Sequence, residues 1–139
     1  MLVGLPGSGK STWAAGKAGV LSSDALRELL ADDPNNQNIH ALVFRVMRDL
    51  LKQRLALKRP VTYIDATNLI PKLRQPYIKL AESFDCVAEA VFFDVPAEEC
   101  SRRNRERSRV VPHEVILSMA KKLVPPDAKE GFSRVTVVR

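Results

Sequence analysis

Nine residues near the start of the chain, Gly4-Leu5-Pro6-Gly7-Ser8-Gly9-Lys10-Ser11-Thr12, limit its fold more than any other stretch. They match G-x-x-x-x-G-K-[ST] without a mismatch. The apolar run Met1-Leu2-Val3 precedes them, and a helix-compatible segment from Ser11 to Ala18 follows. A strand, a glycine-rich loop and a helix in that order are the context in which this pattern cradles phosphate. The glycines admit backbone conformations closed to residues with a Cβ, so several N–H groups can converge on one anion. The start of the following helix adds its free N–H groups and the positive end of its dipole. Lys10 is placed to reach the β- and γ-phosphates, and the Ser11 hydroxyl to ligate Mg²⁺. The expectation is a nucleoside triphosphate, ATP with Mg²⁺, bound by Gly4 through Thr12.

A length of 139 residues suits one α/β domain with a real core and no second domain. The formal charge of +6 favours polyanionic partners. Cys86 and Cys100 form no metal or redox spacing, which fits packing thiols in a reducing cytoplasm. No apolar run approaches bilayer length, so a membrane partner is not expected.

Apolar periodicity alternates strand and helix along the chain. Strands are expected at Val20–Ser23, Val61–Asp65, Val87–Asp94 and Val135–Val138, besides the one before the glycine loop. Helices are expected over Asp24–Ala31, about Asn38–Lys58, Pro71–Phe84, Pro96 to about Arg107, and Pro112–Leu123. Strands separated by helices call for parallel pairing, because parallel neighbours need crossovers. The predicted fold is an α/β P-loop NTPase three-layer sandwich, a five-stranded parallel sheet with helices on both faces. Ligands in such sheets bind at the carboxyl ends of the strands. The polar residues ending the strands, Ser22-Ser23-Asp24, Asp65-Ala66-Thr67-Asn68 and Asp94, are then expected around one cleft.

Three constellations at that cleft could carry chemistry. Asp24 and Arg27, three residues apart on a first helical turn, are both reachable from one acceptor. The carboxylate can take a proton from an attacking hydroxyl, and the guanidinium can hold an acceptor phosphate or carboxylate. The alternative makes Asp24 an N-cap and Arg27 a solvated helix residue. The second constellation, Arg102-Arg103-Asn104-Arg105-Glu106-Arg107-Ser108-Arg109, holds five arginines in eight residues. Arg103 and Arg107 share a helical face if the helix reaches them both, and could neutralise charge on a transferring phosphoryl. Arg102, Arg105 and Arg109 read as solvated charge. Third, Asp65 ends a hydrophobic strand, where it can face Mg²⁺ or orient a neighbouring arginine. His40 and His113 carry no pattern.

The glycine loop through Trp13, Ser23-Asp24-x-x-Arg27, Asp65-Ala66-Thr67-Asn68, Val91-Phe92-Phe93-Asp94-Val95-Pro96 and Arg103-Asn104-x-x-Arg107 together resemble the polynucleotide 5′-hydroxyl kinase family. That family comprises the phage polynucleotide kinase and the kinase module of bacterial polynucleotide kinase-phosphatases. The resemblance covers nearly the whole chain, in order. It implies one kinase domain over residues 1–139, with a lid over about 100–112, moving the γ-phosphate of ATP to the 5′-OH end of DNA or RNA. It also implies Asp24 as general base, and Lys10 and Ser11 on the ATP phosphates and Mg²⁺. Arg107 would act from the lid with support from Arg103, and Arg27, Asp65 and Asn68 would lie on the acceptor side. No Asp-x-Asp-x-Thr phosphatase motif is present.

Two other readings fit parts of this pattern. Asp-x-x-Arg after a second strand also occurs in small-metabolite kinases such as shikimate kinase, so a sugar, nucleoside or other alcohol is an alternative acceptor. A non-catalytic ATP-binding module needs neither the base nor the lid arginines. The basic lid and the net charge favour nucleic acid over a small acceptor.

Overall fold

Leu2–Val3 (β1) form a fully buried two-residue strand in the computed structural model, which describes residues 1–139. The chain continues through α1 (Lys10–Ala14), β2 (Val20–Ser22), α2 (Ser23–Ala31), α3 (His40–Ala56) and β3 (Tyr63–Asp65). It then forms α4 (Pro71–Ser83), β4 (Ala88–Phe93), α5 (Ala97–Asn104), α6 (His113–Lys122), a 3₁₀ turn at Ala128–Glu130 and β5 (Phe132–Val138). Every ladder is parallel: β2 with β3, β1 with β4, and β4 with β5.

Between β1 and β3 the backbone ladder gives way to a looser seam at the carboxyl ends. The Gly4 N–H donates to the Thr67 carbonyl at 3.1 Å, and Asn68 Nδ2 donates to the Leu2 carbonyl at 2.7 Å. The order across the five strands is therefore β2-β3-β1-β4-β5. Asn68, expected on the acceptor side, is instead a structural residue. It is buried, takes a left-handed φ of 49°, and spends its amide on the Leu2 and Ala66 carbonyls. Asparagine tolerates that conformation better than most residues with a Cβ.

Successive strand residues face opposite sides, and both sides are covered. Val43, Met47 and Leu51 fall four apart on α3, so they line one helix face, which packs on Ile64, Ala66 and Tyr77. Leu21 joins that side, and Ala90 packs there on Ile78 of α4. On the other side Leu2 and Phe93 pack on Ala14 of α1, with Val20 and Val91 beside them. Trp13 meets Tyr63 and Phe93 edge-on there, with ring centroids 5.9 and 6.1 Å apart. The expected sandwich is present.

Three boundaries differ from expectation by three residues or more, for local reasons. The helix after the glycine loop stops at Ala14, short of Ala18, because Ala15 turns to an extended ψ of 134° and Gly16 takes a left-handed φ of 78°. The last strand starts at Phe132, three residues early, because Gly131 ends the 3₁₀ turn and releases the chain into the β4 ladder. α5 ends at Asn104 and does not reach Arg107. There the Asn104 side chain, buried, donates Nδ2–H to the Val111 carbonyl at 2.6 Å and accepts the Val111 N–H at 3.1 Å. Residues 105–110 thus form a loop clasped at its base, and Arg103 and Arg107 do not share a helical face.

Arg74 is the largest fully buried side chain. It pairs with both Glu130 oxygens, at 2.8 and 2.6 Å, and its Nη1 donates to the Asn68 and Val124 carbonyls at 2.8 and 3.0 Å. It therefore braces the residue that closes the seam. Removing one member of such a pair leaves the other charge buried and alone, which costs about 3–5 kcal/mol. Urea unfolding of Arg74→Ala should show a loss of about that size. The double change Arg74→Met/Glu130→Leu, which leaves no orphaned charge, should lose clearly less.

Candidate active site

Glycine geometry fixes the phosphate loop against α5. At Gly7 the backbone has a left-handed φ of 81°, and a Cβ there would lie 2.3 Å from the Cys100 carbonyl oxygen. Any side chain would push the loop off its seat. Gly9, with φ of 101°, forms the left-handed entry to α1, and Trp13 N–H closes the first turn on the Gly9 carbonyl at 2.9 Å.

Lys10 opens α1 yet is buried. Its Nζ donates to the Gly4 and Leu5 carbonyls at 2.9 and 2.8 Å, so those two residues hold the lysine while Pro6 to Thr12 face the cavity. Burial pulls the Lys10 pKa down to about 8, against the opposing pull of Asp65 and with further lowering by Arg107. The Ser11 hydroxyl donates to Asp65 Oδ2 at 2.8 Å. Asp65 thus bonds the phosphate side of the cleft, in the cavity that Asp24 also lines. Its strand position fits the Mg²⁺-facing reading. Mg²⁺ takes oxygen ligands, commonly one or two from protein with waters and phosphate oxygens completing the octahedron. One hydroxyl and one carboxylate in contact fit that set: Ser11 as direct ligand and Asp65 beside it.

Across the same cavity, of about 630 Å³, stands Asp24. The alternative assignment of Asp24 as a helix cap does not hold. Ser22 caps α2, its Oγ accepting the Ala25 N–H at 3.3 Å, which leaves the Asp24 carboxylate to face the cleft. Lys10 and Asp24 line one cavity, and Arg103 and Arg107 line it too. Arg107 Nη2 lies 3.7 Å from Asp24 Oδ2 and its charge reaches Lys10, so it stands between the two. Arg103 bonds Glu99 Oε1 at 2.7 Å and extends over the loop, its Nη1 3.8 Å from where a Gly9 Cβ would be. Arg102 also holds Glu99, and these two arginine hydrogen bonds pull the half-buried Glu99 carboxyl down to about 2.

Arg27 does not line the cavity directly. It is 3 % exposed, donates to Asp24 Oδ1 at 3.3 Å, and has its Nη2 3.5 Å from His40 Nδ1. Burial first, and Arg27 second, hold His40 below the usual imidazole range. Two residues emerge that sequence patterns gave no role. Asn104 clasps the lid, and Arg109, read as solvated, bonds directly to Asp24. A side-chain amide reaching seven residues ahead has no sequence period. A contact from residue 109 to residue 24 has none either.

The lysine sets a testable pH dependence. With a Lys10 pKa near 8, an adjacent phosphate favours the charged form, so nucleotide binding draws a proton onto Lys10 wherever it is neutral. ATP affinity should therefore fall as pH rises above about 8, approaching tenfold per unit if Lys10 alone titrates. Titrations of ATP at pH 7, 8 and 9 check this, and a flat response would show that Lys10 does not titrate in this range. Gly7→Ala should bind ATP at least tenfold more weakly at any of these values, by displacement of the loop from Cys100.

No helix is long and apolar enough to cross a membrane. Among solved structures, a gluconokinase from Sinorhizobium meliloti 1021 superposes with a TM-score of 0.61 at 21% sequence identity. The match covers 99% of this chain and 79% of that one, which establishes a shared fold. A family profile described as AAA domain matches residues 1–126, the whole stretch from the glycine loop to α6 with its Asp24, Asp65 and lid arginines. On that match the chain belongs to the AAA domain family.

Proposed function

We propose that this protein is an ATP-dependent phosphotransferase that moves the γ-phosphate to a hydroxyl group. One observation carries the reading: Lys10, Arg107 and Asp24 converge on a single cavity. A pure nucleotide binder has no use for a carboxylate opposite the phosphate loop. In the proposed reaction the glycine loop and Lys10 would hold the triphosphate, and Ser11 with Asp65 beside it would hold Mg²⁺. Bound Mg²⁺ supplies charge neutralisation on the β- and γ-oxygens. Asp24 accepts the acceptor's hydroxyl proton, and Arg107 stabilises charge on the moving phosphoryl. Such transfers depend on positioning and electrostatics more than on covalent chemistry.

For the acceptor we favour the 5′-OH end of a nucleic acid. The motif set from Gly4 to Arg107 supports it, as does the +6 charge. Arg27 and Arg109, flanking Asp24, suit a phosphodiester next to the attacking hydroxyl. A small metabolite alcohol is the second reading, favoured by the structural likeness to a gluconokinase. A sugar acid carries its own anion, which the same arginines could hold.

A side-by-side assay with γ-labelled ATP decides between them. A short 5′-OH oligonucleotide, gluconate, glucose and thymidine are offered separately. The favoured reading expects the oligonucleotide to be labelled fastest, at a rate that declines as salt rises, because phosphate neutralisation releases counterions. Label on gluconate or glucose but none on the oligonucleotide selects the second reading. ATP binding without transfer to any of them contradicts both. In the active pairing, Asp24→Asn should lose about 10²–10⁴ in kcat, the usual contribution of a general base. Its ATP affinity should stay within about threefold, since the residue faces the acceptor.

A further inference from the structure

Helices α3 and α4 both start at the cleft and run away from it. α3 opens at His40, which contacts Arg27 behind Asp24, and α4 opens at Pro71, just after Asn68 closes the seam. Between them lies a groove of about 390 Å³, outside the catalytic cavity. Arg48, Asp49 and Lys52 of α3 line one wall, and Pro76, Lys79 and Leu80 of α4 the other. Arg45 stands one turn before Arg48 and Asp49, and Lys72 one turn before Pro76. Both therefore extend the same helix faces back toward the cleft.

The charges of this groove are unspent. Each of the cleft arginines 27, 103, 107 and 109 has a carboxylate within ion-pair distance. Arg45, Arg48, Lys52, Lys72 and Lys79 have none, and Asp49 is the one acid in the lining. A donor beside them is idle too. The Tyr77 hydroxyl is buried without a hydrogen-bond partner, near enough to Arg48 to feel its charge. Buried hydroxyls are normally paired, and an anion drawn in by Arg48 would offer this one an acceptor.

A long polyanion suits the groove better than a peptide. Pro76 and Leu80 are its only uncharged lining, too little to anchor an apolar side chain. The cations are also strung out along the helices, where a small anion would need them gathered at a point. From His40 to Lys52 the helix rises about 18 Å, the length of about five nucleotides of one strand at about 3.4 Å each.

We propose that the α3–α4 groove is a second nucleic-acid contact, holding the phosphate backbone of the acceptor strand beyond its terminal nucleotide. Arg45 and Lys72 meet the strand as it leaves the cleft, and Arg48, Lys52 and Lys79 hold phosphates further in. Contacts of this kind position a strand and add affinity without reading its sequence. The proposal rests on the nucleic-acid acceptor favoured above and extends it from the end of the strand to its body.

The test uses the whole chain, Arg48→Ala, and Lys52→Glu/Lys79→Glu, whose two side chains are exposed. Lys129→Glu/Arg134→Glu makes the same charge change at exposed positions outside the groove. Binding of 5′-OH oligonucleotides of about three and about twenty nucleotides is read by fluorescence anisotropy over a salt series, and transfer by γ-labelled ATP. Wild type should bind the long oligonucleotide at least about tenfold more tightly. Lys52→Glu/Lys79→Glu should lose about that factor for the long one, with a flatter salt dependence. In transfer the loss should fall on KM for the long oligonucleotide, while kcat and the short one's KM stay within about twofold. Arg48→Ala should follow in the same direction, and the pair outside the groove should cost clearly less.

Equal wild-type affinity for both lengths would overturn the proposal. So would an equal loss for both lengths in the groove variants, or an equal loss in the outside pair. Polyglutamate displacing the long oligonucleotide at matched charge would assign the groove to an acidic protein and overturn it as well. Failure of the acceptor reading looks different: neither oligonucleotide is labelled, and the anisotropy arm still decides whether the groove holds a strand.

Discussion

Donor and acceptor chemistry meet across the seam between β1 and β3. The phosphate loop leaves β1, which is laddered to β4 and β5, while Asp24 follows β2, which is laddered only to β3. The distance from Lys10 to Asp24 is therefore set by whatever joins those two ladders. At their carboxyl ends the joint is two hydrogen bonds, from Asn68 to the Leu2 carbonyl and from Gly4 to the Thr67 carbonyl. Arg74 steadies it from beneath by holding the Asn68 carbonyl, with Glu130 balancing its charge. A catalytic spacing thus depends on an asparagine in a left-handed turn and on a buried ion pair 56 residues apart in sequence. An amide at position 68 answers a need of the sheet, since no backbone ladder joins β1 to β3.

The site is rich in cations and short of anions. Lys10, Arg103, Arg107, Arg109 and Arg27 gather near Asp24 and Asp65. Like charges this close raise the energy of the site: burial does most to lower the Lys10 pKa, and Arg107 lowers it further. A triphosphate with Mg²⁺ relieves that strain on one side. An anionic acceptor would relieve it on the other. The Asn104 clasp matters here because it delivers Arg107 and Arg109 on a short loop of fixed base, so their reach across the cleft is limited and specific.

Local signals read well from sequence because their physics is local. Gly4 to Thr12 carries its own glycine geometry, and the Val43-Met47-Leu51 stripe declares a helix against a sheet. Proline at the start of α4 and the Asp33–Asn36 turn act within a few residues. Asp24 and Arg107 were legible as chemistry, and the structure brings them together. What was hidden depends on partners distant in the chain. Asp65 goes to Ser11, and Asn68 goes to Leu2. Arg109 leaves the solvated run for Asp24, and α5 yields at Asn104 to a side-chain clasp that no periodicity announces. A motif gives the residue types a cleft needs. Which bank each one occupies is decided by strand order.

The central claim is that the γ-phosphoryl and the acceptor hydroxyl face one another in a single crevice, so that transfer is direct. Its most direct test is the stereochemistry at phosphorus, using ATP made chiral at the γ-phosphate with oxygen isotopes and the acceptor that the labelling assay selects. One in-line displacement inverts the configuration, and inversion is the result this account predicts. Retention would mean two displacements through a phosphorylated enzyme. Asp24 could not then be the base that serves the acceptor in one step.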